Sequence, residues 1–136
     1  MRSLLTVLST VAMCLLGAAA ANAHHSFAAE FDREQQVEFT GTVTKVEWSN
    51  PHARFYVSGP DPDMDADTPI EWNIELVSAN VLMRQGWRRD SLKVGDTVTV
   101  KAARARKDPH VVNASSVVGA DGRTYFSRSA DAPDNQ

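Results

Sequence analysis

The feature that most constrains this chain is a strict alternation of apolar and polar residues in runs rich in β-branched and aromatic side chains. The clearest run is IEWNIEL, at residues 70–76. Successive side chains of a β-strand point to opposite faces, so this pattern predicts a strand with one buried and one solvent face. The predicted inward residues are Ile70, Trp72, Ile74 and Leu76, and the predicted outward residues are Glu71, Asn73 and Glu75.

Four more runs have the composition of strands and are separated by turn residues. They are VEFTGTVTKVEW at 37–48, ARFYVSG at 53–59, DTVTVKAAR at 96–104 and HVVNASSVVG at 110–119. In the first of these runs the apolar residues change face between Val43 and Val46. We therefore predict a bulge or a sharp bend there, with Gly41 as its pivot.

One short helix is predicted between the third and fourth strands. Ser78 can cap it, ANVLMRQ fills two turns and Gly86 ends it. Three strands, a helix and two strands is the element order of the OB-type barrel. We therefore predict a mostly β fold, a small five-stranded OB-like barrel over residues 37–126 with one short helix between strands three and four. A short β-sandwich is the alternative, because element order does not fix strand pairing.

Two polar segments are expected outside the barrel strands. PDPDMDADTP, at 60–69, lacks strand-forming residues and is predicted to be an exposed loop. Its alternating carboxylates suit calcium, but it lacks the glycine and the glutamate of an EF-hand loop, so we predict no calcium site. After a final turn and short strand in ADGRTYF, at 120–126, the polar tail over 127–136 is predicted to be disordered.

The first 23 residues have the three-part pattern of a secretory signal peptide. Arg2 supplies a positive start, an apolar run extends from Leu4 to Leu16, and Ala21-Asn22-Ala23 is an A-x-A cleavage site. The apolar run is short for a membrane span, which needs about 20 residues. We predict a cleaved leader over 1–23, an N-terminal arm over 24–36, and a periplasmic or secreted chain with no membrane span.

Cleavage would also change the charge and the thiol content of the protein. It would remove the only cysteine, Cys14, so the mature chain would hold no disulfide. It would remove Arg2 as well, leaving 13 basic residues (14 minus 1) against 17 acidic ones, a formal charge of −4. Nucleic acid favours a basic surface, so we expect no nucleic-acid partner. An envelope protein or a small ligand is the expected partner.

Several segments together resemble a known family. In order along the chain they are HHSFAAEFD, GTVTKVEWSNPHARFYV, WNIEL, LMRQGWRRDSLKVGDTVTV and DGRTYF. Over residues 24–126 the chain resembles a family of small secreted bacterial proteins that is defined only as a domain of unknown function. The resemblance implies export and a compact, mostly β domain, and it implies no established biochemical activity.

Cleavage after Ala23 would make His24 and His25 the first two residues of the mature chain. An N-terminal histidine offers its α-amine and its ring Nδ1 to one metal ion, and imidazole suits copper, zinc or nickel. A mononuclear site usually has a third or fourth protein ligand. We predict that His52, in the NPHAR turn before the second strand, is this ligand and that the site holds copper or zinc.

Simpler interpretations of the same histidines stay open. The arm can serve only to dock Phe27 and Phe31 onto the barrel, and His52 can be a turn residue that donates to a backbone carbonyl. His110 follows KDP in another loop and is a weaker candidate ligand.

A metal-independent module that binds a polypeptide or a glycan is the competing hypothesis. Arg54 and Tyr56 lie on the predicted outer face of the second strand, and Trp87 follows the end of the helix beside two arginines. Aromatic residues on the open face of an OB-like barrel can stack on ligands. These three residues would then form the binding surface.

Catalysis has little support in the sequence. There is no G-x-S-x-G nucleophile elbow, and no cysteine remains after cleavage. Glu71 and Glu75 share a strand face, which is usually the solvent side of a strand. We assign no catalytic residue and predict no enzymatic activity. A hydrolase that uses a metal-bound water would need an open coordination position.

Overall fold

A strongly curved sheet forms the body of the protein in the computed structural model, which describes residues 27–64 and 68–128. Its strands are β1 (Phe31–Glu47), β2 (Arg54–Gly59), β3 (Ile70–Glu75), β4 (Thr97–Ala105), β5 (Val111–Gly119) and β6 (Thr124–Ser127). The helix α1 (Ala79–Arg84) lies between β3 and β4, and residues 27–30 form one helical turn before β1.

The sheet closes on itself through one parallel strand pair. Its order is β3-β2-β1-β4-β5-β6, and β3 also pairs with β5, where Glu75 is opposite Asn113. This pairing makes a ring of five strands, and β6 pairs with β5 as a sixth strand. Paired residues can be followed around the ring, from Gln36 of β1 through Ala103, Asn113, Glu75 and Arg54 to Glu47 of β1. The path returns to β1 at a position 11 residues further along the strand (47 minus 36). A closed barrel of tilted strands requires such a stagger, so the mostly β, OB-like architecture is confirmed.

The predicted irregularity in β1 is a bulge at Thr44. The register changes from Val43 opposite Val57 to Lys45 opposite Tyr56, which leaves one extra residue in β1. The predicted pivot, Gly41, is wrong by three residues. Gly41 instead marks the closest approach of β2, because a Cβ there would fall on the Ser58 carbonyl and lie 2.6 Å from Val57 Cγ1.

The core fills the inside of the ring. Trp72 is fully buried and stacks on Phe39 with ring centroids 4.1 Å apart. At one end of the barrel α1 contributes Leu82, and the connection after it contributes Trp87 and Leu92. Of the residues predicted to face inward, Trp72, Ile74 and Leu76 are buried, and Ile70 is partly buried.

The ends of α1 follow from two residues that flank it. The Ser78 hydroxyl accepts a hydrogen bond from Val81 N at 3.3 Å, which satisfies one free N–H of the first turn. After the helix, Gly86 has φ 92°, a conformation that glycine adopts without steric cost. The connection then returns along the barrel end to β4.

Some predictions concern the ends of the chain. The predicted arm overlaps β1, which already begins at Phe31. Ser127 lies in β6 and Arg128 N donates to Ser115 O of β5, so the predicted tail begins with one strand residue and one residue hydrogen-bonded to the sheet. The leader, His24, His25 and residues 129–136 lie outside the described residues. Over the two described ranges, no helix has the length and apolar character needed to cross a bilayer.

Candidate functional site

His52 lies at the rim of the barrel, in the turn between β1 and β2. Its backbone carbonyl accepts a hydrogen bond from Ser49 Oγ at 2.8 Å. Its ring Nδ1 is 2.9 Å from Oε1 of Glu75, while its side chain keeps 31% of its surface exposed. A carboxylate at Nδ1 holds the ring proton on that nitrogen, and this leaves Nε2 as the basic atom. The arrangement therefore presents one oriented nitrogen donor at the barrel rim.

Glu75 is the centre of a buried polar cluster. Only 2% of it is exposed, and it accepts hydrogen bonds from Arg54 Nη2 and from Asn113 Nδ2, the latter at 3.3 Å. Arg54 also donates to Asn73 Oδ1 at 3.4 Å. We call His52, Arg54, Asn73, Glu75 and Asn113 the Glu75 cluster. A buried carboxylate is tolerated only when it is paired in this way.

The burial of Glu75 corrects the prediction that it faces solvent. The alternation of β3 does place it on the outer face of the barrel, opposite Trp72 and Ile74. At the parallel junction of β3 and β5, however, polar side chains of neighbouring strands and of the β1–β2 turn cover that face. Period-two alternation predicts the face of a side chain, and it does not predict what covers the face.

The predicted metal ligands are not all within the described residues. His24 and His25 lie outside them, and His52 is the one predicted ligand that the structure places. Within 27–64 and 68–128, no three or more His, Cys, Asp or Glu side chains are grouped so as to hold a metal ion. His52 therefore supplies a single donor and depends on other ligands to complete a site.

The start of the described chain is held near the end of β4. Arg106 donates from its side chain to Ala28 O and from its backbone to Glu30 O, both at 2.8 Å. Phe31 is buried to 2% exposure, and its ring is 5.3 Å from the ring of Phe27. These contacts agree with a docking role for the two phenylalanines.

Phe31 and Glu75 lie on the same, outer face of the barrel. Glu75 is paired with Asn113, and Asn113 is paired with Ala103. Ala105, two residues beyond Ala103 on β4, is paired with Phe31. Directly paired residues point to the same side of a sheet, as do residues two apart in one strand. The N-terminal segment thus enters the fold on the face that carries the Glu75 cluster.

Two of the three residues of the competing binding hypothesis lie side by side on β2. Arg54 is partly exposed and uses its guanidinium within the Glu75 cluster. The Tyr56 hydroxyl donates to Glu47 Oε2 at 3.2 Å, and Lys45 Nζ is 4.9 Å from its ring centroid. Burial, together with the neighbouring Glu47, raises the pKa of Tyr56. The polar groups of both residues are engaged within the protein.

Trp87 is placed in the core. It is 6% exposed, and its indole N–H donates to the Tyr125 carbonyl. Its ring also meets the Tyr125 ring edge-on, with centroids 6.0 Å apart. Trp87 is therefore not exposed on the binding surface that the competing hypothesis predicted, because the connection turns inward and fastens β6 to the barrel.

A second polar cluster, missed in the sequence, closes the opposite end of the barrel. Arg104 is buried and donates to Asp61 Oδ1 at 2.7 Å, to Asp61 Oδ2 at 3.2 Å and to Asp63 Oδ2 at 2.7 Å. It lies 5.1 Å from the centroid of Trp72. His110 Nε2 is 3.5 Å from Asp61 Oδ2. We call Asp61, Asp63, Arg104 and His110 the Arg104 cluster.

The Arg104 cluster corrects the prediction of a wholly exposed loop at 60–69. Asp61 is 3% exposed and anchors the loop, although Asp63 and Met64 are exposed. Burial by itself would raise the pKa of the Asp61 carboxyl, but hydrogen bonds from Arg104 and from Asp63 N outweigh it and lower that pKa. One signal was available, because Arg104 continues the inward alternation of β4 and a buried arginine requires an acidic partner.

Comparison with known proteins identifies the family. A family model matches residues 12–113 of the chain. The chain belongs to DUF6152, a family of unknown function. The resemblance seen in the sequence is thus confirmed, while export and a bacterial source stay predictions. No curated protein matches this DUF6152 chain.

Solved structures give a distant likeness to the DUF6152 chain. One crystal structure of the mitochondrial single-stranded DNA binding protein Rim1 from S. cerevisiae matches at 11% identity and a TM-score of 0.46, covering 63% of this chain and 93% of that one. A selenomethionine-labelled structure of the same protein matches at 12% identity and a TM-score of 0.43, covering 62% and 92%. Likeness at this level carries no inference about what the DUF6152 chain binds.

Proposed function

We propose that this protein is an exported binding module of the cell envelope that binds copper(II) or zinc(II) through His24, His25 and His52. The observation that carries the proposal is the 2.9 Å contact between His52 Nδ1 and the buried carboxylate of Glu75. Histidines that bind metals in proteins usually donate their other ring N–H to a carboxylate or a carbonyl. A turn histidine that only contacts solvent does not require a hydrogen bond to a buried glutamate such as Glu75.

The charge of the Glu75 cluster favours a site with nitrogen ligands. Arg54 donates to Oε2 of Glu75 while His52 contacts Oε1, so an arginine already neutralises this carboxylate. Glu75 then acts as a hydrogen-bond acceptor that orients His52, and the metal takes its donors from imidazole and amine nitrogen. Copper(II) binds such donors more tightly than the other common divalent ions of its series, zinc(II) included.

The proposal also depends on where the N-terminal segment meets the barrel. Ala29 and Glu30 line a groove together with Val111 of β5, and Val111 is paired with Asn73 of β3. β3 and β2 separate this groove from His52. The proposal requires residues 24–26 to cross these strands to the rim that carries His52.

The experiment is a copper(II) titration of protein exported and processed by a bacterial host, with intact mass showing whether His24 is residue one. We expect one equivalent to bind, with visible absorption and electron paramagnetic resonance typical of nitrogen ligation. A chain with one extra alanine before His24 moves the α-amine and should bind at least tenfold more weakly. Equal binding by both chains would refute a role for the processed terminus.

Two substitutions test the part played by His52. His52→Asn should weaken copper binding, whereas the matched control His110→Asn, at the other end of the barrel, should leave it unchanged. Glu75→Gln should weaken copper binding about 10- to 100-fold, the usual loss when the carboxylate that orients a metal-binding histidine is replaced. If His52→Asn and His110→Asn bind copper equally well, the ligand set proposed here is wrong.

A metal-independent module is the second candidate, supported by the adjacent, partly exposed Arg54 and Tyr56 on the outer face of β2. It predicts binding of a polypeptide or a glycan that Tyr56→Phe and Arg54→Gln weaken and that a chelator does not change. The net charge of −4 after cleavage still argues against nucleic acid, so single-stranded DNA serves as a negative control for this candidate.

A further inference from the structure

The end of α1 and the connection from it to β4 carry an unusual set of exposed residues. Four cations, Arg84, Arg88, Arg89 and Lys93, are exposed there, and none of them forms an ion pair with a residue in the described ranges. Five other cations of the described chain, by contrast, are paired with carboxylates. Two further exposed cations of the described ranges, Lys107 and Arg123, also form no ion pair, but the four cations at 84–93 lie together in sequence, in a protein whose overall charge is negative.

Exposed apolar side chains border the same segment. Three large hydrophobic residues are exposed in the described parts of the chain, and two of them, Met83 at 45% and Val94 at 67%, flank the four cations. We call Met83, Arg84, Arg88, Arg89, Lys93 and Val94 the cationic end. Exposed apolar groups beside cations are typical of surfaces that meet a membrane or another macromolecule.

Buried anchors hold this segment against the barrel. Trp87 and Leu92 are buried at 6% and 3% exposure, and Gly95 N donates to Val43 O at 2.8 Å. Arg88 N donates to Ser91 Oγ at 2.8 Å, which tightens the turn between the anchors. The exposed residues between these anchors therefore lie on a segment that is fixed to the barrel.

The charge is also distributed asymmetrically between the two ends of the barrel. Strand β3 begins after the loop that carries Asp61 and Asp63 and ends just before α1. At that end Arg104 pairs with both carboxylates, whereas the cations of the cationic end, beyond the other end of β3, have no ion-pair partner in the described ranges. Two carboxylates, Asp90 and Asp96, occur within the cationic segment and leave residues 84–96 with a charge of +2 (four minus two).

We infer that the cationic end docks the protein onto an anionic phospholipid surface. The observations favour a lipid surface over an acidic polypeptide, because the cations spread along an exposed connection that has an aliphatic side chain at either side. The groove described above is lined by Ala29, Ala105 and Val111, in another part of the fold. Each cation near an anionic bilayer strengthens binding roughly fivefold. Burial of the Met83 and Val94 side chains at the edge of the bilayer's apolar region adds to this binding.

The test is co-sedimentation of the exported protein with vesicles of phosphatidylglycerol and phosphatidylcholine, against vesicles of phosphatidylcholine alone, with a chelator present. We expect binding to the anionic vesicles only, and its loss when salt rises from about 50 to 300 mM. Arg84→Gln with Arg89→Gln should lower the partition coefficient at least tenfold. The matched control, Lys101→Gln with Lys107→Gln, removes equal charge elsewhere and should change it less than twofold.

Other outcomes overturn the inference. Equal binding to both kinds of vesicle, or an equal loss in the two double variants, would show that the cationic end is not the membrane contact. Tighter binding to polyglutamate or to single-stranded DNA than to the anionic vesicles, at the same salt, would identify another polyanion as the partner. Since a chelator is present, each result is independent of the proposed metal site.

Discussion

Arg104 and Asp61, 43 residues apart in sequence, form a buried two-point ion pair that joins the β2–β3 loop to the end of β4, with N–O distances of 2.7 and 3.2 Å. The pair fastens a Pro- and Asp-rich segment to an otherwise apolar barrel end. Four predictions about the fold follow from this pair and from two close contacts elsewhere.

Asp61→Ala should destabilise the protein by about 3–5 kcal/mol, because it leaves Arg104 buried with only the exposed Asp63 as a carboxylate partner. Asp61→Ala combined with Arg104→Met should be less destabilised than Asp61→Ala alone, since no uncompensated charge stays inside. Urea unfolding of the wild-type protein, the single variants Asp61→Ala and Arg104→Met, and the double variant measures this. Asp90→Ala, at an exposed aspartate, is the control and should change stability by less than about 0.5 kcal/mol. Additive effects of the two substitutions would contradict the coupling.

The lowered pKa of Asp61 sets the direction of a pH dependence. A carboxyl whose pKa is lower in the folded state stabilises the fold above its unfolded pKa, about 3.9, and this contribution is lost as the pH falls through the folded pKa. Between pH 7 and pH 3, the free energy of unfolding should therefore fall more for the wild-type protein than for Asp61→Asn. Urea midpoints across this range give the comparison, and parallel curves would show that Asp61 does not contribute.

Gly41→Ala should destabilise the protein by about 1–3 kcal/mol or more. The new methyl group would meet the Ser58 carbonyl and Val57 Cγ1, so β2 would have to move away from β1. The neighbouring Thr42→Ala, at an exposed position, should cost less than about 1 kcal/mol. Thermal unfolding of both variants checks the difference, and an unchanged melting temperature for Gly41→Ala would contradict the close approach.

Trp87→Phe should cost about 1 kcal/mol or more, because the Tyr125 carbonyl loses its donor while the aromatic packing largely remains. Trp48→Phe is the matched control, since Trp48 is only partly buried against the core. Denaturant unfolding of the two variants tests whether Trp87 has a structural role. A stable Trp87→Phe protein that loses binding of a polypeptide or a glycan would instead favour the competing function.

Much of the fold could be predicted from local patterns. Alternation predicted the buried face of β3, and the composition of ADGRTYF predicted the last short strand. Ser78 and Gly86 lie at the two ends of α1, as expected. These features depend on side-chain direction and on backbone conformations that a few neighbouring residues decide. Gly41 shows the limit, because a glycine that permits a bend and a glycine that permits a close strand approach look the same in one sequence.

The polar contacts were decided only by the tertiary structure. In sequence, Glu75 looks like the solvent side of a strand and Asp61 like one of several loop aspartates. Closure of the ring brings His52, Arg54 and Asn113 over Glu75, and it places Arg104 within reach of Asp61. The sequence by itself determined which segments form strands, since periodicity is local. Which charges become buried and paired depends on strand order and stagger, and long-range pairing fixes these.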